Sequence, residues 1–180
     1  MLIFLDIDGV LVPDRPLNAA ESLQDLMKFD RTCLQEFETI LRRYPSVRVV
    51  ISSSWREMFP FETIPPLFSP DITPRIIGST PFLDPKAVCE LEYLRYQEVL
   101  EYLRQNCPEH SPWVAVDDIP EHYPPDAPIV ATVAEVGFDR NAAKALSKYL
   151  MAMGNGQWTI DCWLLKINNG SVATLYPPLG

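Results

Sequence analysis

Two pairs of carboxylates carry the chemistry that this sequence can offer. Asp6 and Asp8 lie in the run Asp6-Ile7-Asp8-Gly9-Val10, directly after the apolar segment Leu2–Leu5. Residues two apart on a strand share a side, so both carboxylates emerge together from its C-terminal end. Asp117 and Asp118 follow Trp113-Val114-Ala115-Val116 in the same way. Adjacent carboxylates repel, and a cation or a shared proton is expected between them. Hard oxygen donors favour Mg²⁺ over softer metals. Ser52-Ser53-Ser54 follow a third apolar run, Val47–Ile51. Hydroxyls and turn amides at such a place can hold a phosphoryl oxygen. Arg95 stands in an apolar stripe with Leu91 and Val99. An unpaired charge there would be costly, so its guanidinium is expected to meet the carboxylates or grip a phosphate. Lys86 is the competing cation. Taken together, these groups suit the handling of a phosphoryl group, because a cation and an arginine offset the repulsion between an anionic nucleophile and an anionic ester.

For these groups to meet, the chain must deliver several strand ends to one edge. Leu2–Ile7, Val47–Ile51, Trp113–Val116 and Ile129–Val133 read as short buried strands, and Ile76-Ile77 as a further short one. Helices are expected over 32–44, with Thr32 and Gln35 as a capping box, over 85 or 86 to 105, and over 141–151. Ala19–Met27 reads as one or two helical turns. Strands alternating with helices imply a mostly parallel sheet with helices on both faces. In such sheets ligands bind at the carboxyl ends of the strands. Residues 59–85 are proline-rich and read as an ordered excursion over the surface. The chain is expected to divide into a catalytic domain over 1–153 and an extension over 154–180. In the extension Gln157–Ile167 and Ser171–Tyr176 form a β-hairpin around Asn168-Asn169-Gly170. That hairpin is expected to pack on the sheet or to pair with another subunit.

Composition bounds the function classes. The chain has 180 residues, 47% of them hydrophobic, and a formal net charge of −9. That charge argues against nonspecific nucleic-acid binding, which relies on clustered Lys and Arg. It leaves room for a nucleotide or a nucleic-acid end as substrate, since a local metal outweighs global charge. No apolar run approaches the roughly 20 residues of a membrane span. The start of the chain lacks a basic leader, and the four cysteines have no CxxC pairing. A cytoplasmic protein with free thiols is expected. His110 and His122 read as surface residues, and no GxSxG elbow supports a serine hydrolase.

The ordered set is similar to the haloacid dehalogenase (HAD) superfamily: DxDGV after an N-terminal strand, Ser after strand two, a cationic helix residue, and Asp-Asp after a later strand. Ile51-Ser52-Ser53-Ser54-Trp55-Arg56, together with Arg95-x-x-Glu98-Val99-x-x-Tyr102-Leu103 before VAVDD, resembles a capless subgroup. That subgroup includes domains of bacterial RNA-repair-like proteins and deoxyribonucleotidases. The resemblance implies a Rossmann-like three-layer α/β/α fold without a large cap domain. It implies a Mg²⁺-dependent phosphatase acting on a phosphate monoester. In it, Asp6 matches the nucleophile that forms an aspartyl-phosphate, and Asp8 the general acid/base. Ser52 matches the phosphate-binding hydroxyl, with Ser53 as the alternative, and Arg95 the phosphate-binding cation. Asp6, Asp117 and Asp118 match the metal ligands, and Asp8 would join them through its backbone carbonyl. An acid at position 8 suits ester hydrolysis rather than dehalogenation. Phosphotransfer or mutase activity, and a non-catalytic Mg²⁺-binding interaction module, are the alternatives.

Overall fold

The fold follows from where the apolar residues can be hidden. In the computed structural model, which describes residues 1–15, 28–83, 92–107 and 111–155, five strands form one all-parallel sheet. They are β1 (Leu2–Leu5), β2 (Arg48–Ile51), β3 (Ile76–Ser79), β4 (Trp113–Asp117) and β5 (Ile129–Ala131), in the order β3-β2-β1-β4-β5. β1 is the central strand, pairing Leu5 with Ile51 on one side and with Val116 on the other. Every residue of β1 and β4 is buried. Strands covered on both faces need continuous apolar runs rather than alternation, and these two have them.

Alternate residues serve the two faces. Ile3, Leu5, Val49, Ile51, Val114 and Val116 pack with α1 (Arg31–Arg43) and α4 (Arg140–Gly154) through Phe37, Leu41 and Leu146. Phe4, Val50, Trp113 and Ala115 face α3 (Leu94–Asn106) through Val99, Tyr102 and Leu103. There the Phe4 ring meets Tyr102 and Trp113 edge-on, both at 5.6 Å between centroids. Edge-to-face contacts of this kind add specificity to apolar burial. The expected α/β architecture, with a parallel sheet between helical layers, is therefore present.

Local details depart from the expectations. α1 is capped by Asp30, whose carboxylate accepts from the backbone N–H groups of Thr32 and Cys33 at 2.8 and 3.0 Å. Thr32 lies inside the helix, so the Thr32–Gln35 capping box does not form. α3 starts only at Leu94, because Tyr93 takes a left-handed φ of 60° that a helix interior does not allow. A single helix from residue 86 to 105 is thus excluded, although 84–91 lie outside the described residues.

The proline-rich excursion is a chain of three one-turn 3₁₀ segments, Phe61–Thr63, Pro65–Leu67 and Thr73–Arg75. Ile64, Phe68 and Ile72 anchor it in the core. Buried Glu38 accepts from the Ser69 backbone N–H at 2.7 Å and from its hydroxyl at 2.6 Å. Arg75 donates to the carbonyls of Leu41, Tyr44 and Val47, satisfying groups that the end of α1 leaves open.

Among the described residues, the connections between β1, β2 and β3 hold α1, these turns and the single helical turn α2 (Trp55–Met58), with no second sheet. No helix among the described residues is long and apolar enough to cross a membrane. The expected helical turns at 19–27, the cation Lys86 and the hairpin at 157–176 lie outside the described residues.

Candidate functional site

The strand order places β1 beside both β2 and β4. The chain adds β2 and β3 on one side of β1 and then returns to add β4 and β5 on the other. That reversal opens a crevice beyond the carboxyl ends of the strands, the usual ligand site of such sheets. Asp6 follows β1, and Asp117 ends β4. Both face the α3 side, as their two-residue spacing from Phe4 and Ala115 requires.

Asp6, Asp117 and Asp118 each present a carboxylate oxygen within 4.8 Å of the others. Asp6 is 6% exposed and Asp117 fully buried. Burial, and then the charge of Asp117, raise the Asp6 carboxyl to about 7. Burial also raises Asp117 and Asp118, the latter further through its neighbour Asp117. Three carboxylates of this kind resist ionising together unless a cation joins them. The donors are hard oxygens at one place, so the cluster fits a divalent ion such as Mg²⁺.

Other groups fix these carboxylates. Asp6 Oδ1 accepts from the Ile7 backbone N–H at 2.7 Å, and the Ser53 side chain favours the ionised form of Asp6. Asp117 accepts from the Ile119 backbone N–H at 2.9 Å and from the buried Tyr123 hydroxyl at 3.1 Å. Gly9 turns the chain after β1 with a φ of +66°. A Cβ at Gly9 would lie 2.4 Å from the Asp118 carboxylate, so the turn and the cluster fill adjoining space. Thr132 after β5 clamps the same turn by donating to the Gly9 carbonyl at 2.8 Å.

Asp8 is set apart. Its carboxylate lies outside the three-carboxylate cluster, and both its oxygens accept from the indole N–H of Trp55, at 3.1 and 3.0 Å. Burial raises the Asp8 carboxyl, and this indole bond opposes the rise. Asp8 nonetheless opens to solvent.

Arg95 reaches the cluster, with Nε 4.0 Å from Asp117 Oδ2, and its charge favours the ionised form of Asp6. Behind it, Glu98 is buried between two guanidinium groups. Arg56 Nη2 lies 2.6 Å from Glu98 Oε1, and Arg95 Nη1 lies 3.7 Å from Oε2. Arg56 also donates to the Ser53 carbonyl at 2.8 Å. Of the two candidate serines, Ser53 is the one whose side chain favours ionised Asp6. The Ser52 hydroxyl is buried and makes no hydrogen bond among the described residues. His122, read from sequence as a surface residue, is partly buried, and its charge favours ionised Asp117 and Asp118.

Trp55, Arg56, Glu98 and Tyr123 thus take part without having been singled out as site residues. The first two directly follow the serine triplet, and Glu98 lies three positions after Arg95. That spacing places Glu98 and Arg95 on one helix face. Compared with known proteins, residues 2–143 match the family described as the HAD domain in Swiss Army Knife RNA repair proteins. No curated protein and no solved structure matches the chain.

Proposed function

Because the chain belongs to the family of HAD domains in Swiss Army Knife RNA repair proteins, we propose that it is a Mg²⁺-dependent phosphatase that hydrolyses a phosphate monoester through an aspartyl-phosphate on Asp6. Membership points to phosphatase-type chemistry, and the acidic cluster could hold a metal ion. The observation that carries the reading is the gathering of buried Asp6 with Asp117 and Asp118 within 4.8 Å.

When bound by Asp6, Asp117 and Asp118, Mg²⁺ would neutralise negative charge on the phosphoryl oxygens. Arg95, beside the same carboxylates, adds a fixed positive charge for the group in transfer. The Ser53 side chain, beside Asp6, favours the ionised nucleophile. The free oxygen of Asp6 attacks phosphorus and displaces the alcohol. Asp8 gives its proton to the departing oxygen, then takes one from the water that attacks the aspartyl-phosphate. Water thereby returns Asp6 as a carboxylate and releases inorganic phosphate. The substrate class we favour is a nucleotide or a nucleic-acid end. The RNA-repair setting of the family supports it, and so does the overall negative charge, which suits recognition of one phosphate rather than a long backbone.

Turnover of p-nitrophenyl phosphate tests the reading. The wild type is expected to release p-nitrophenol with Mg²⁺ and not with EDTA, and Asp6→Asn to be inert. Activity that survives in Asp6→Asn would overturn the assignment.

A further inference from the structure

One contact in the site has no part in gathering the metal ligands. Trp55 is 4% exposed, and its ring lies among Phe29 and Phe59, at centroid distances of 6.0 and 5.5 Å. Packing fixes the ring, so its N–H points in one direction. That N–H meets both oxygens of Asp8 at nearly equal distances, 3.1 and 3.0 Å. An indole N–H only donates and cannot itself accept a proton. It can therefore hold the Asp8 carboxyl without itself taking the proton that Asp8 carries, although as a donor it favours the ionised form.

Asp8 is two residues from Asp6 in sequence, yet its carboxyl is held by Trp55 and lies outside the cluster of Asp6, Asp117 and Asp118. A carboxylate near a hard cation tends to become a further ligand. A carboxyl bound that way has its oxygens engaged and cannot serve as a proton donor. An exposed aspartate on a turn also has free side-chain rotation, and general acid catalysis needs it within hydrogen-bond reach of one oxygen.

We propose that Trp55 is a positioning residue that keeps Asp8 out of the metal site and aims its carboxyl at the leaving oxygen of the ester. This rests on the reading of Asp8 as the general acid. As the P–O bond breaks, its electron pair goes to the alcohol oxygen, which takes the Asp8 proton and leaves as neutral alcohol. The new bond from Asp6 to phosphorus forms in the same displacement, and Asp8 remains as carboxylate. An ester whose alcohol leaves readily as an anion has little need of that proton, and an alkyl ester depends on it.

The experiment therefore compares two substrates in each variant: p-nitrophenyl phosphate, with an acidic leaving group, and a simple alkyl phosphate, with a basic one. The ratio of the two kcat/KM values is independent of how much of a preparation is folded, and it reports formation of the aspartyl-phosphate rather than its hydrolysis, which both substrates share. Two replacements remove the N–H. Trp55→Phe is the simpler. Substitution of Trp55 by 3-benzothienylalanine keeps the ring's shape and packing and replaces only the N–H by sulfur. Both are expected to lower kcat/KM for the alkyl ester by about 10- to 100-fold, within the range general acid catalysis supplies, and to leave that for p-nitrophenyl phosphate within a few-fold of wild type. KM should change little, because Trp55 acts through Asp8 and not through substrate. Asp8→Asn is the control and is expected to show the same selective loss, larger in size. Asp8→Asn with no selectivity would remove the general-acid reading and this inference with it. A selective loss in Asp8→Asn, with equal losses or none in both Trp55 variants, would overturn the inference alone.

Discussion

Glu98 stands between two arginines inside the protein, and its side chain is 3% exposed. Its partner Arg56 is 7% exposed, and burial disfavours the Arg56 charge while Glu98 restores it. Removing one member of such a set leaves an uncompensated buried charge, a loss of about 3–5 kcal/mol. Glu98→Gln, which keeps the shape, is expected to destabilise the protein by an amount of this size in urea denaturation. It should also raise KM, because Arg95 loses a support on the far side from Asp117. Unchanged stability would mean that the two guanidinium groups are held by other means. At this scale the sequence was legible where chemistry and strand period coincide. Asp6, Asp117 and Asp118 each follow an apolar run, so their common destination could be read from the strand ends, whereas Asp8, expected beside Asp6 from the strand period, lies past the end of β1 and outside the cluster. Trp55 and Glu98 were not legible as site residues. Their partners lie on other elements, and only side-chain direction across the packed interface brings them together. The Ser52 and Ser53 alternatives stayed open for the same reason, since a one-residue step turns a side chain to the opposite face.

Among the elements, helix ends proved harder to read than helix bodies. The apolar spacing of Phe37, Ile40 and Leu41 marks the buried face of α1, and all three are buried. Its start was misplaced because Thr32 and Asp30 are both capping residues, and the carboxylate two positions earlier takes the amides. Asp30→Ala is expected to cost about 1 kcal/mol, the usual value for losing an N-cap, in thermal or urea melts. Catalysis should be unaffected, because the bonds lost belong to α1 alone. For α3, Tyr93 sets the boundary through backbone conformation, which side-chain periodicity does not report. The strands were found to within two residues, and for β1 and β4 the reason is that both faces are covered and the apolar runs are continuous. The proline-rich stretch between β2 and β3 was legible as ordered, while its pinning by Glu38 and Arg75 depends on contacts distant in sequence.

For the whole molecule, the acidic cluster ties folding to pH. Burial and the charge of Asp117 raise the Asp6 carboxyl to about 7 against an ordinary 3.8. The native state thus holds a proton that the unfolded chain gives up, and stability falls as pH rises from about 4 through about 7. Asp117 and Asp118 shift in the same direction. A divalent ion bound there would favour the ionised cluster and reverse the loss. The rise in Tm between EDTA and Mg²⁺ is therefore expected to be larger at pH 8 than at pH 5. Asp30, Asp71 and Asp139 shift the opposite way, but their contributions cancel in that difference. An equal rise at both pH values would contradict the coupling. Gly9 shows how finely this unit is fitted. Its missing side chain is the space into which the Asp118 carboxylate projects. The first loop of the protein thus serves as a mould for the last carboxylate of the cluster: a methyl group at residue 9 would evict an oxygen supplied by residue 118.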